Sequence, residues 1–110
     1  MPGETHRIPL STWRRELVRA TVLAYRAAAG AGKLDPDAYA AARDAYIGAE
    51  GDPAQAPREV MQIVSAAARD HGEWFWRPVR ERLEREERYW RRRGMWPPPK
   101  NPQDWPADLR

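Results

Sequence analysis

The chain has 110 residues, about the size of one domain, which leaves room for a single modest core. It contains no cysteine, which excludes disulfides, thiolate zinc sites and a cysteine nucleophile and favours a reducing compartment, so we expect a cytoplasmic protein. The formal net charge of +3 is unevenly spread, because residues 1–34 and 77–94 are basic, residues 35–76 are acidic and the remainder is neutral.

The first predicted helix follows a short leader. Residues 1–10 contain two prolines and a glycine and show no periodicity, which predicts a flexible segment. Ser11 or Thr12 can cap a helix that runs to Ala29 with apolar residues at helical spacing, and Gly30 ends it. Helical patterns recur from this first helix to Gly94, so we predict a helical domain over residues 11–94.

The second predicted helix begins at Asp35-Pro36, an N-cap acceptor followed by a proline in the first turn. Its apolar stripe consists of small residues and two tyrosines, which would let another helix approach closely. The stripe comprises Ala38, Tyr39, Ala42, Ala45, Tyr46 and Ala49. Gly51 ends this helix.

A third helix is predicted from Asp52-Pro53 or from Pro57 to a stop at Gly72, with one apolar face from Val60 to His71. Three aromatic residues, Trp74, Phe75 and Trp76, then precede Pro78. Proline disfavours helical backbone at the residue before it, or kinks a helix that continues. We therefore predict a corner over residues 73–77, packed into the core.

The fourth predicted helix, from Pro78 to Arg93, is long, charged and poor in apolar residues. Three acid-to-base pairs at a spacing of four residues stabilise it, each by roughly 0.2–0.5 kcal/mol. They are Glu81 with Arg85, Glu84 with Arg88, and Glu87 with Arg91. Such a helix can stand partly clear of the body.

Residues 95–110 form a tail rich in proline and tryptophan, for which the sequence predicts polyproline II geometry. The segment Trp96, Pro97, Pro98 and Pro99, with Trp105, could dock into an aromatic groove of a partner at little cost in ordering entropy. Alternatively, the two tail tryptophans fold back over Trp74, Phe75 or Trp76. The predicted fold is all-α, a small three- to four-helix bundle with this C-terminal tail.

Residues suited to catalysis or metal binding are scarce. The chain has two histidines, His6 and His71, and no zinc motif, phosphate-binding glycine loop or serine elbow. His71 lies between Asp70 and Glu73, but neighbours in a helix do not face each other, and a histidine that caps a helix end is the commoner case. We expect no enzyme activity, no metal and no cofactor.

Arginine-lined helices are the main basic feature. Arg15, Arg19 and Arg26 follow one side of the first helix, and Lys33 extends the line. Arg85, Arg88 and Arg92 could form a second line on the fourth helix, with Tyr89 and Trp90 as stacking surfaces. Both lines could hold the phosphates of DNA or RNA, or they could be ordinary solvated faces. A helix-turn-helix over residues 36–49 and 57–71 is disfavoured, because its second helix has no surplus of basic residues.

The first functional hypothesis is a non-enzymatic interaction module, an adaptor, accessory or regulatory protein that binds another protein through Trp96, Pro97, Pro98, Pro99 and Trp105. The alternative is an accessory protein that binds nucleic acid through the arginine-lined helices. In style, this short, alanine- and arginine-rich helical chain resembles small accessory proteins of phages and prophages, a resemblance that implies no particular function. No apolar run approaches the ~20 residues of a membrane span, so no membrane partner is expected. A homo-oligomer, formed through the charged helix or through the alanine-tyrosine face of the second helix, stays open.

Overall fold

Four α-helices make up most of the molecule, and the computed structural model describes residues 8–109. They are α1 (Arg15–Gly30), α2 (Asp35–Gly48), α3 (Ala56–Asp70) and α4 (Gly72–Arg92). Short 3-10 turns lie at Leu10–Thr12, Pro102–Asp104 and Ala107–Leu109. Within residues 8–109 there is no strand, so the predicted all-α bundle is confirmed. None of these helices is both long and apolar enough to cross a bilayer.

The start of α1 differs from the prediction. Ser11 and Thr12 belong to a 3-10 turn instead of capping the helix, and α1 begins at Arg15 without a side-chain cap. Leu10, the first residue of this turn, and Trp13, which follows it, pack against the core. Most of the predicted leader, including His6, lies outside the described residues.

The core lies around α1, which contacts each of the other three helices. Its buried side chains come from all four helices: Leu17, Val22, Tyr25, Ala38, Ala42, Tyr46, Ala56, Val60, Ile63, Val64, Ala67 and Phe75. Ala38 and Ala42 are fully buried, because α2 packs closely on α1 through its alanine-tyrosine face. That face of α2 is therefore used inside the molecule.

Two tyrosine-carboxylate hydrogen bonds tie the helices together. The Tyr25 hydroxyl donates to Asp35, at the start of α2, and the Tyr46 hydroxyl donates to Glu59 of α3. Burial, reinforced by Glu59, raises the pKa of Tyr46 to about 12. The predicted cap is thus corrected: Asp35 is the first residue of α2, follows the N-cap Leu34, and accepts its bond from Tyr25.

The predicted corner over residues 73–77 is wrong. The chain turns at His71, and α4 runs without interruption from Gly72 through Pro78. Pro78 has no amide hydrogen, so the carbonyl oxygen of Trp74, four residues earlier, loses its helical donor. The Nε–H of Arg26 on α1 donates to that oxygen at 3.0 Å. The cost that proline imposes on the helix is therefore offset by a side chain from another helix.

A close approach of α1 accompanies this contact. A Cβ atom at Gly30 would lie 2.6 Å from the Cβ atom of Pro78. Glycine at this position therefore lets the end of α1 meet the proline ring directly. At the start of α3, Pro57 lies in the first turn of the helix, so the second of the two predicted starts is the correct one.

The second half of α4 extends away from the bundle, as its sparse apolar residues predict. The radius of gyration is 17.4 Å, against about 13 Å for a compact domain of this length. Beyond Arg82, Trp90 is the one buried residue of α4. Of the three predicted ion pairs, only Glu87 with Arg91 forms within the described residues, at 3.5 Å. Arg82 pairs instead with Glu86, at 2.6 Å.

The tail folds back onto the end of α4. The ring of Trp105 lies 5.7 Å from that of Trp90, and its Nε1–H donates to the carbonyl oxygen of Pro99 at 2.7 Å. Arg93 pairs with Asp108 at 2.7 Å. The predicted cover over Trp74, Phe75 or Trp76 is wrong, because the continuous α4 carries the tail about 20 Å beyond those residues. Two 3-10 turns also replace part of the predicted polyproline II segment.

Candidate functional site

An open groove lies between α1, the first 3-10 turn and the junction of α3 with α4. It comprises two adjoining cavities of about 300 and 640 Å³ that share Leu10, Val18, Arg19, His71 and Trp74. Val22, Leu23 and Ala67 extend its floor on one side, and Ser11, Trp13 and Arg15 extend it on the other. Apolar side chains thus form most of the surface that we call the α1 groove.

Trp74 forms one wall of the α1 groove, and Arg26 holds it in place. The guanidinium carbon of Arg26 lies 4.3 Å from the ring centroid of Trp74, while the Nε–H of the same arginine bonds to the Trp74 carbonyl oxygen. A cation above an aromatic face contributes about 0.5–1 kcal/mol. Trp74 nevertheless keeps 37% of its surface exposed. It therefore presents a positioned aromatic surface to the groove.

Two arginines make the rim basic. Arg15 and Arg19 line the groove, are exposed, and have no hydrogen bond or ion pair with any residue in the range 8–109. Arginine presents a planar fork of donors that matches carboxylates and phosphates. The groove thus combines an apolar floor with unpaired cations at one edge.

His71 also borders the α1 groove, and its backbone ends α3. Its amide N–H donates to the carbonyl oxygen of Ala67 at 2.8 Å. The neighbouring Asp70 accepts two bonds from Arg69, at 2.8 and 3.0 Å. In the part of the chain that the structure describes, no group of three histidine, aspartate or glutamate residues could hold a metal ion.

The predicted tail residues lie at the far end of α4. Trp96 and Pro98 border a cleft of about 390 Å³ with Leu83, Glu86, Glu87 and Trp90. Pro97 is exposed, and Pro99 and Trp105 are half-buried and bonded to each other. Trp105 is thus packed on α4 and Trp96 and Pro98 lie beside it, so the tail is not a free extended ligand.

The predicted arginines are separated by the fold. Arg15 and Arg19 line the α1 groove, Lys33 is exposed between α1 and α2, and Arg26 is engaged by Trp74. Arg85, Arg88 and Arg92 are exposed on α4 with no partner among residues 8–109. The two predicted sets of arginines therefore differ: Arg26 of the first set is bonded within the protein, whereas Arg85, Arg88 and Arg92 of the second set are all available to a ligand.

Sequence reasoning missed the apolar residues of the α1 groove, chiefly Leu10, Leu23 and Trp74. A signal for Leu23 was present: the adjacent apolar pairs Leu17-Val18 and Val22-Leu23 make the apolar face of α1 wider than a single core stripe requires. Leu17 and Val22 are buried, whereas Leu23 remains 40% exposed.

Comparisons with protein-family models, with curated proteins and with solved structures found no match for this chain.

Proposed function

We propose that the protein is a non-enzymatic accessory or regulatory module of the cytoplasm that binds a partner protein through the α1 groove. The observation that carries the proposal is the pairing of an exposed apolar floor with two unpaired arginines at its rim. Tryptophan and arginine are the residues that most often dominate binding energy at protein interfaces.

The groove also indicates what the bound segment is like. Leu23 and Trp74 offer apolar surface to aliphatic or aromatic side chains, while Arg15 and Arg19 offer donors to carboxylates. The expected ligand is a short segment of the partner with apolar residues on one side and acidic residues beside them. We therefore favour docking in the α1 groove over docking through the tail, where Trp105 packs on Trp90 and where Trp96 and Pro98 border a cleft along α4.

Selection of peptides from a random library displayed on phage tests this proposal. We expect the enriched peptides to combine apolar and acidic residues, and to lose at least about tenfold in affinity, or ~1.4 kcal/mol, for Leu23→Glu and for Arg19→Glu. Both positions are exposed, so both variants should fold. Leu34→Glu, which makes the same change at an exposed leucine outside the groove, is the matched control.

The proposal fails if the selected peptides bind the Leu23→Glu protein as tightly as the unmodified protein. It also fails if they lack acidic residues and ignore Arg19→Glu.

Nucleic-acid binding is a second candidate, favoured by the outer side of α4. Arg77, Arg85, Arg88 and Arg92 lie opposite Trp90 around the helix, and all are exposed without an ion pair in the described part of the chain. They extend over about 22 Å of helix, a length that could follow a phosphate backbone. Glu81 and Glu84 lie among them and reduce the net charge.

Binding to fluorescent DNA and RNA oligonucleotides at ~50 and ~200 mM salt tests this candidate. Phosphate contacts predict a steep loss of affinity with salt. The triple variant Arg85→Gln/Arg88→Gln/Arg92→Gln should reduce the magnitude of the negative slope of log association constant against log salt by about 3. Arg43→Gln, in the acidic segment of residues 35–76, should leave that slope unchanged. The absence of binding at ~50 mM would remove this candidate.

A further inference from the structure

A second exposed apolar surface runs along α4, away from the α1 groove. Trp76, Leu83 and Trp90 recur at intervals of seven residues and therefore share one side of the helix. The tail covers Trp90, but Trp76 and Leu83 remain 42% and 50% exposed. Trp96 is 42% exposed and lines a cleft together with Leu83, so it lies beside the same side of α4. We call Trp76, Leu83 and Trp96 the α4 stripe.

Charges beside the α4 stripe complement each other in one arrangement. Arg80 and Glu87 are also seven residues apart, so they lie on the same flank of the stripe, one before and one after Leu83. When two copies of α4 cross antiparallel at Leu83, a two-fold axis brings like flanks together. Arg80 of each copy then faces Glu87 of the other, which gives two ion pairs.

Both charged groups are available for this contact. Arg80 is exposed and has no partner among residues 8–109. Glu87 uses one carboxylate oxygen in a long contact of 3.5 Å with Arg91, which leaves its other oxygen unbonded. The antiparallel arrangement also keeps the two helical bundles apart, because each bundle contacts its own α4 near residues 74–78, before the crossing point.

The alanine-tyrosine face of α2, the other surface proposed for self-association from the sequence, is buried within the chain. It packs on α1, where Ala38, Ala42 and Tyr46 are buried. A dimer through that face would require the bundle to open, whereas the α4 stripe is exposed in the folded chain.

We propose that the α4 stripe is covered by a second copy of this chain, in an antiparallel pair of α4 helices that crosses at Leu83 and is bridged by Arg80 and Glu87. The pair has the self-complementary form of a two-fold interface, in which each surface element meets its symmetry mate. This inference is independent of the α1 groove, which lies on another face of the molecule.

Sedimentation equilibrium over a range of protein concentrations is the first test. The unmodified chain should reach about twice its mass of 12.7 kDa, and Leu83→Glu should hold it at the monomer mass. Leu34→Glu, with the same change at a leucine away from α4, should still dimerise. Far-UV circular dichroism shows whether Leu83→Glu keeps its helix content, as its exposure leads us to expect.

Two further variants test the geometry. Arg80→Glu and Glu87→Arg should each weaken dimerisation by at least about tenfold, and the double variant Arg80→Glu/Glu87→Arg should recover it, because it restores both ion pairs with reversed sign. Since the chain has no cysteine, Leu83→Cys should also form a disulfide-linked dimer on oxidation, and much faster than Leu34→Cys, whose thiols meet only by random collision.

A monomer mass at every concentration would overturn the proposal. A dimer that is unaffected by Leu83→Glu would overturn it equally, since the two copies would then meet through a different surface.

Discussion

Replacing Phe75 by alanine is expected to lower the free energy of unfolding by about 3–5 kcal/mol, the usual cost of removing a buried phenylalanine. Phe75 is 1% exposed, stacks on Tyr25 with ring centroids 5.4 Å apart, and meets the edge of Trp76 at 4.8 Å. It is the residue through which α4 enters the core. Because small domains have total stabilities of only about 5–15 kcal/mol, this one change should leave the fold marginal.

Urea denaturation followed by far-UV circular dichroism measures the effect. The neighbouring variant Trp76→Ala is the control, and its loss should be smaller because that ring is 42% exposed. Equal losses at the two positions would mean that Trp76 contributes as much to the core as Phe75, contrary to the exposure of its ring.

The second large effect concerns Arg26. Arg26→Ala should cost about 2 kcal/mol, because it removes both a charge-assisted hydrogen bond and the cation above Trp74. The cost should fall by about 1 kcal/mol in a Pro78→Ala background, since alanine at position 78 supplies the amide hydrogen that the Trp74 carbonyl oxygen otherwise lacks. A double-mutant cycle from urea denaturation of the four proteins gives this coupling.

Arg26→Lys distinguishes a structural role from simple charge. Lysine keeps the positive charge but lacks the planar fork that stacks on a ring while it donates to a carbonyl oxygen. We therefore expect Arg26→Lys to be less stable than the unmodified protein. If Arg26→Ala costs the same with proline and with alanine at position 78, the carbonyl contact does not support α4.

The helices could be predicted because their signals are local. The Asp35-Pro36 step, Pro57 and the glycines near helix ends act within one turn of the residues they affect, and the structure places three of the helices near the predicted ranges. The alanine-rich face of α2 was predictable for the same reason, since helical periodicity alone brings its members together.

The corner and the α1 groove depended on contacts that are remote in the chain. Arg26 and Trp74 are 48 residues apart, and neither residue alone indicates that the other offsets the effect of Pro78. The groove is formed jointly by Leu10, α1 and the junction of α3 with α4. The periodicity of any one helix therefore cannot predict it.

Because α4 continues through Pro78, the tail is attached to the end of one unbroken helix that is anchored in the bundle. Arg26 and Gly30 contact this helix near Pro78, and Arg82 lies against Gly32, so the part of α4 that extends from the bundle is about 15 Å long. A change of ~10° in the direction of that part would move its far end by about 3 Å. The position of the tail relative to the bundle therefore depends on the contacts that fix the direction of α4.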